Sequence, residues 1–205
     1  MGNLDQLKAV TFDVFGTVVD WRSSIAREIN LLADEKEVSI DGAEFASAWR
    51  SLYQPSMSKV RSGEIPFQPL DALHRNNLNT VLEQYDIDQL SELEKVHLNR
   101  VWHRLDPWPD VIEGLVRLKE RYIIGTLSNG NISLIVNMAK HSGLPWDVVL
   151  GAEVAGHYKP CPEAYLGSAK KLDLPPHQCM LVAAHNADLL AASECGFKTA
   201  FVARP

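Results

Sequence analysis

A chain of 205 residues with 46% hydrophobic and 22% charged side chains is long enough for one sizeable core and a smaller appended lobe, and its composition is that of an ordinary globular protein. A net charge of -6 gives no long-range attraction to nucleic acid or an anionic membrane surface, so neither is an expected partner. Cys161, Cys179 and Cys195 stand far apart with no CxxC pairing, the opening residues carry no signal or myristoylation pattern, and no apolar run reaches membrane-spanning length, so a cytoplasmic protein with packing cysteines is expected.

The first element is a strand over residues 8–12, apolar and β-branched, that stops at Asp13, with Gly16 letting the backbone turn sharply above it. Residues 18–104 contain no convincing strand. Helical spacing recurs there instead, in Ile25, Ile29 and Leu32, in Phe45, Trp49 and Leu52, and in Leu78, Val81, Leu82 and Tyr85. Asp106-Pro107-Trp108-Pro109-Asp110 reads as a stiff connection, with Asp110 capping a helix that carries Val111, Leu115 and Leu118.

From residue 122 onward, short apolar runs alternate with helical patterns, the signature of parallel βαβ units. Strands are predicted over 122–127, 146–150, 179–183 and 198–202. Helices are predicted over 132–140, over 162–172 with Pro162 in the first turn, and over 187–195 with Gly196 as the stop. The expected fold is α/β, a doubly wound parallel sheet of about five strands, Rossmann-like, with residues 1–17 and 105–205 as core and 18–104 as an inserted helical cap subdomain.

Polar residues stand just after the predicted strands: Asp13 and Thr17, then Ser128 and Asn129, then Lys159, then His185, Asn186 and Asp188. In a doubly wound sheet those loops open on one edge, so distant residues converge there. Taken singly, Asp13 reads equally well as a turn or cap residue, and Lys159 as a solvated charge. His74, His97, His103 and His141 have no metal-ligand spacing and are expected to be structural, as are the tryptophans, although Trp21 and Trp49 are candidates to line an apolar pocket.

Four stretches together resemble the haloacid dehalogenase superfamily, and within it the type II (S)-2-haloacid dehalogenases. They are Phe12-Asp13-Val14-Phe15-Gly16-Thr17, Leu127-Ser128-Asn129-Gly130, Tyr158-Lys159-Pro160 and Val182-Ala183-Ala184-His185-Asn186-Ala187-Asp188. The resemblance covers essentially the whole chain. It implies a haloacid-dehalogenase-like core with a helical cap, in which Asp13 displaces halide from a short-chain (S)-2-haloalkanoic acid and water then hydrolyses the ester to a 2-hydroxy acid. It further implies that Lys159 keeps Asp13 ionised, that Ser128 and the backbone N–H groups of Val14 and Phe15 hold the substrate carboxylate, and that Thr17 orders the loop.

Ala48-Trp49-Arg50 aligns with the family's cap segment, so Arg50 and Asn129 are the implied halide cradle, and Tyr165 and Asp188 match further residues of the family site. Phosphatases of the superfamily carry acids where this chain has Phe15 and Ala184, so no Mg²⁺ site, other metal or cofactor is expected. The fourth motif has Ala183 and His185 where the best-known dehalogenases have Ser and Asn. This Ala-Ala-His-Asn form reads as a separate branch, in which His185 helps Asp188 prepare the hydrolytic water.

A homodimer is implied by the family alone, and family members usually continue with another helical segment after the last strand, so a sheet edge or dimer surface left incomplete at Pro205 is expected. The alternatives are a Mg²⁺-dependent phosphatase or phosphonate hydrolase acting on a small metabolite, and a non-catalytic binding protein of the same fold. Halide release in EDTA separates the first, and ligand binding without turnover indicates the second.

Overall fold

The computed structural model describes residues 4–205; Met1-Gly2-Asn3, the start of the stretch read as carrying no signal or myristoylation pattern, lies outside them. Strand β1 (Ala9–Phe12) is buried at every position, as a central parallel strand covered on both faces must be. After it come β2 (Val19–Asp20), α1 (Trp21–Lys36), α2 (Gly42–Ser51), α3 (Tyr53–Arg61), α4 (Leu70–Gln84), α5 (Glu92–Asn99) and β3 (Asp106–Pro107). The remainder alternates helix and strand: α6 (Val111–Lys119), β4 (Ile123–Ser128), α7 (Ile132–Ser142), β5 (Val148–Gly151), α8 (Ala152–Ala155), α9 (Pro162–Lys171), β6 (Cys179–Ala183), α10 (Asn186–Glu194) and β7 (Lys198–Phe201).

The main sheet runs β5-β4-β1-β6-β7 with every neighbouring pair parallel. The chain builds β4 and β5 on one side of β1 and then crosses to β6 and β7 on the other. The loop after β1 therefore sits at the switch point, where the carboxyl ends of open α/β sheets leave a crevice. Two cores cover the faces. Val10, Phe12 and Ile124 pack with α6, α7 and the inserted helices, whereas Ala9, Leu127, Leu181 and Ala183 pack with Ala164, Tyr165, Ala169, Leu189 and Ala192 of α9 and α10.

The inserted helices start on sequence-encoded caps. Asp20 accepts from Ser23 N, Asp41 from Ala43 N and Glu44 N, and Ser91 with Glu94 forms a reciprocal capping box. The expected apolar stripes are the buried ones: Ile25 and Ile29 in α1, Phe45 and Trp49 in α2, Leu78, Val81 and Leu82 in α4. A polar network fastens the insertion to the core. Asp71 in α4 receives Asn131 Nδ2 at 2.9 Å and His103 Nε2 at 3.0 Å, and Asn137 Nδ2 in α7 lies 2.9 Å from His103 Nδ1. His103 thus donates from Nε2 and accepts at Nδ1, a structural role like that of His97 beside Arg104.

Two expectations are corrected. The insertion is not strand-free at its root, because Val19–Asp20 pairs antiparallel with Asp106–Pro107 and closes its two ends into a stem. A ladder two residues long has no period for a sequence to display. Asp110 stands at the first residue before α6, but its backbone is helical (φ -83°, ψ -11°) and its side chain caps nothing; Arg204 holds the carboxylate through two bonds of 2.6 and 3.1 Å. The cysteines are free, and burial pushes the Cys179 thiol up to about 11.

Glycine has opposite meanings at two positions. A Cβ on Gly151 (φ +137°) would lie 1.9 Å from the Ser128 carbonyl oxygen, whereas one on Gly114, inside α6, would meet nothing within 4 Å. Gly151→Ala is expected to lower unfolding free energy by about 2 kcal/mol or more, and Gly114→Ala to raise it by about 0.5–1 kcal/mol, in urea denaturation.

Candidate active site

Asp13 ends β1 with its N–H donating to Val182 O at 3.0 Å, which fixes the carboxylate above the sheet edge. The turn that follows is closed by N–H groups of Gly16, Thr17, Val18 and Val19 donating to Val19 and Val14 carbonyls. Gly16 takes φ +84°, and a Cβ there would come within 3.4 Å of the His185 ring, so glycine serves both the turn and the room above it.

Asp13 is 7% exposed and every oxygen is engaged: Oδ1 accepts from Lys159 Nζ at 3.0 Å, and Oδ2 accepts from Thr17 Oγ1 at 2.7 Å and lies 3.0 Å from His185 Nδ1. Lys159 Nζ also donates to Asp188 Oδ2, while Asp188 Oδ1 accepts from Tyr165 OH at 2.6 Å. One ammonium thus bridges two carboxylates. Burial pushes the Asp13 carboxyl up, but the Lys159 charge, with the His185 and Thr17 hydrogen bonds, outweighs it and holds Asp13 well below the usual carboxylate range. The same balance, with burial opposed by Asp13 and Asp188, leaves Lys159 above the usual lysine range.

Neighbouring loops hold this cluster in place. Thr17 Oγ1 accepts from Ala184 N at 3.0 Å, joining the loop after β1 to the loop after β6. Asn129 Oδ1 accepts from Lys159 N at 2.8 Å, and its Nδ2 faces Met57 Sδ at 3.3 Å. Arg61 Nη1 donates to Lys159 O at 3.3 Å.

The inserted helices form the opposite wall. The Arg50 guanidinium carbon lies 3.8 Å from the Tyr53 ring centroid, 5.5 Å from that of Trp21 and 5.9 Å from that of Phe15, and its Nη1 is buried without a protein partner. Behind it, His74 stacks on Trp102 with ring centroids 4.1 Å apart. Burial, and then the Arg50 charge, push the His74 imidazole down to about 3, so it stays neutral and adds no competing cation. The Phe15 ring is 2% exposed and packs edge-on against Trp102, with centroids 5.7 Å apart.

A cleft of about 380 Å³ opens between the two walls. It brings together Asp13, Phe15, Arg50, Asn129, Lys159, Tyr165, His185 and Asp188 from the sequence-derived set. Thr17 supports it from behind. Ser128 is fully buried outside the lining, its Oγ accepting from Gly130 N at 3.1 Å; Asn186 is exposed on the first turn of α10. The Val14 side chain is buried, but among the described residues no backbone carbonyl receives the N–H of Val14 or Phe15. Trp49 belongs to the helical core, donating to His74 O, and Trp21 reaches the site only as the ring beneath Arg50.

Sequence reasoning missed Tyr53, Gln54 and Arg61, which also line the cleft. Their signal was present. Counting from Arg50, they stand at i+3, i+4 and i+11, with Met57 at i+7, which is one helical face carried through the short break between α2 and α3.

A family model described as a haloacid dehalogenase-like hydrolase matches residues 7–196. The chain belongs to the haloacid dehalogenase-like hydrolases. It is 49% identical to the defluorinating L-2-haloacid dehalogenase Rha0230, covering 97% of this chain and 82% of that one with a TM-score of 0.95. The L-2-haloacid dehalogenase PA0810 is 47% identical over 97% of this chain and 86% of its own, with a TM-score of 0.92. Among curated proteins, (S)-2-haloacid dehalogenase 4A of Burkholderia cepacia is 29% identical over 204 residues, 98% of this chain and 85% of that protein.

The lowered Asp13 carboxyl has a signed consequence. Its pairing contributes stability in full above the free aspartate value of about 4, and loses it as pH falls through the lowered folded value. In Lys159→Met, burial is no longer opposed by that cation, so the carboxyl should titrate at clearly higher pH than in wild type. Carbon-13 NMR titration of Asp-labelled protein checks this. An Asp13 titration unchanged by the substitution would show that Lys159 does not hold it ionised.

Proposed function

We propose that this protein is a metal-independent hydrolase acting on carbon–halide bonds, converting short-chain (S)-2-haloalkanoic acids to 2-hydroxy acids and halide through an ester on Asp13. The observation that carries the reading is the Lys159 ammonium shared by Asp13 and Asp188. A resident protein cation already bridges the two carboxylates, in the place where a divalent ion would otherwise have to sit. Beside the nucleophile stands the Phe15 ring rather than an acid, which suits a halogen-bearing sp³ carbon and supplies no proton for a phosphate leaving group.

In the first step an Asp13 carboxylate oxygen attacks C2 of the haloacid; the new C–O bond forms as the carbon–halogen bond breaks, and the halide leaves with the bonding pair. Arg50 and the Asn129 amide receive that developing charge. Arg50 suits the task because its guanidinium is held among rings with one N–H donor buried and unused. In the second step water adds to the Asp13 ester carbonyl, the 2-hydroxy acid departs, and one proton from water ends in solution as the counterpart of the halide. His185, whose Nδ1 lies 3.0 Å from Asp13 Oδ2, carries its proton on Nε2 once Asp13 is an uncharged ester, and Nδ1 is then the base that takes the proton of the attacking water, with Asp188 and Tyr165 fixing Lys159 beneath it. Val14 and Phe15 N–H groups meet the substrate carboxylate, Ser128 supports the loop after β4 through Gly130 N, and Thr17 orders the turn. Asn186 starts α10 within the fourth motif. A cytoplasmic homodimer with residues 18–104 as a cap over the core accords with the reading.

Halide release from racemic 2-chloropropionate in EDTA, with Asp13→Asn as control, tests the function: release of half the halide that needs Asp13 and no metal supports it, and release only with added Mg²⁺, or none, overturns it. Arg50→Ala is expected to keep the fold by circular dichroism and to lose about 10²-fold or more in halide release. His185→Asn is expected to accumulate the ester on Asp13, visible as the added acid mass in intact-protein mass spectrometry.

A further inference from the structure

The cleft contains a second arginine that the proposed chemistry has not used. Arg61, the last residue of α3, lines the cavity beside Lys159, and among the described residues it makes no ion pair. Its two hydrogen bonds are long and go to neutral acceptors, 3.3 Å to Lys159 O and 3.5 Å to Gln54 Oε1. Such contacts are easily exchanged for a stronger, charge-assisted bond.

Asp13 and Asp188 bring two negative charges and Lys159 one positive, so the nucleophile's surroundings are net negative before an anionic substrate arrives. Arg50, beside Phe15, balances one charge and, on the proposed reaction, is committed to the halide. Arg61 aside, the substrate carboxylate would then face an ionised Asp13 with no uncommitted cation in the lining to meet it, and Ser128 is buried outside the lining. Adding Arg61 brings the occupied cleft to neutrality. The balance is unchanged by the reaction, since the charge lost by Asp13 on ester formation reappears on the halide.

We propose that Arg61 is the residue that selects acids, a specificity determinant that binds the carboxylate of the 2-haloacid while Arg50 faces its halogen, so that C2 lies over Asp13 between two guanidinium groups. This rests on the proposed dehalogenation for the identity of the substrate, but the binding of a carboxylate can be read without turnover. Arg61 touches Lys159 only through one long bond to its main-chain oxygen, while Asn129 holds the Lys159 N–H at 2.8 Å and the Asp13 and Asp188 contacts are made by the Lys159 ammonium, so Arg61 replacement is expected to leave those contacts in place.

The experiment compares wild type, Arg61→Gln and Arg61→Lys in two assays. Binding of propionate and of propionamide is measured by ligand-detected NMR, and steady-state halide release is measured with 2-chloropropionate and 2-chloropropionamide. Arg61→Gln is expected to weaken propionate binding by about 10- to 100-fold, to leave propionamide within about twofold, and to raise KM for 2-chloropropionate by the same factor with kcat changed less than about threefold. Arg61→Lys should recover part of the loss. Propionate binding within twofold of wild type in Arg61→Gln, equal weakening of acid and amide, or no propionate binding to wild type would overturn the proposal. Wild type that binds propionate but releases no halide would refute the dehalogenation instead, and the binding comparison would still decide Arg61.

Discussion

The structure depends on one buried cation. Removing an ammonium and two carboxylates from water costs several kcal/mol for each ion, and that cost is recovered only when geometry is tight and the remaining donors and acceptors are filled. The site meets both conditions through groups from three separate loops and from α9. Thr17 and His185 fill Asp13, Tyr165 fills Asp188, and Asn129 holds the Lys159 main chain. What these contacts produce is a carboxylate that is buried yet ionised, which is the state a nucleophile needs and which burial alone would abolish.

The two parts of the chain divide the work by their chemistry. The sheet edge contributes the charges, because parallel strands ending side by side deliver polar loop residues to one crevice. The inserted helices contribute rings and the cation that faces them, since amphipathic helices packed on a core can present aromatic faces without exposing backbone groups. The Asp71–His103–Asn137 network and the β2–β3 stem tie the two together, so the Arg50 wall is set against Asp13 by contacts remote from both.

Much of this was legible in the sequence, for identifiable reasons. The strand-then-polar pattern at Asp13, Ser128 and His185 is local, and parallel topology turns it into convergence, so the sheet and the charged half of the site could be read residue by residue. Arg50 came only from resemblance to a family. Tyr53, Gln54 and Arg61 escaped because a helical face aimed at a cleft looks like any half-polar helical face until the tertiary structure says what it opposes. Asp110 misled for a related reason: the residue type and position of a cap were right, but Arg204, far along the chain, outcompetes the helix for its carboxylate.

The central claim is that Asp13, kept ionised by Lys159, becomes covalently attached to the substrate's C2. A single turnover of 2-chloropropionate with enzyme in excess, run in ¹⁸O-labelled water with EDTA present, tests it most directly. The account predicts one ¹⁸O in the carboxylate of the Asp13-containing peptide and none in the lactate formed. Label in the lactate with Asp13 unlabelled would mean that water attacks C2 itself, and would contradict the account.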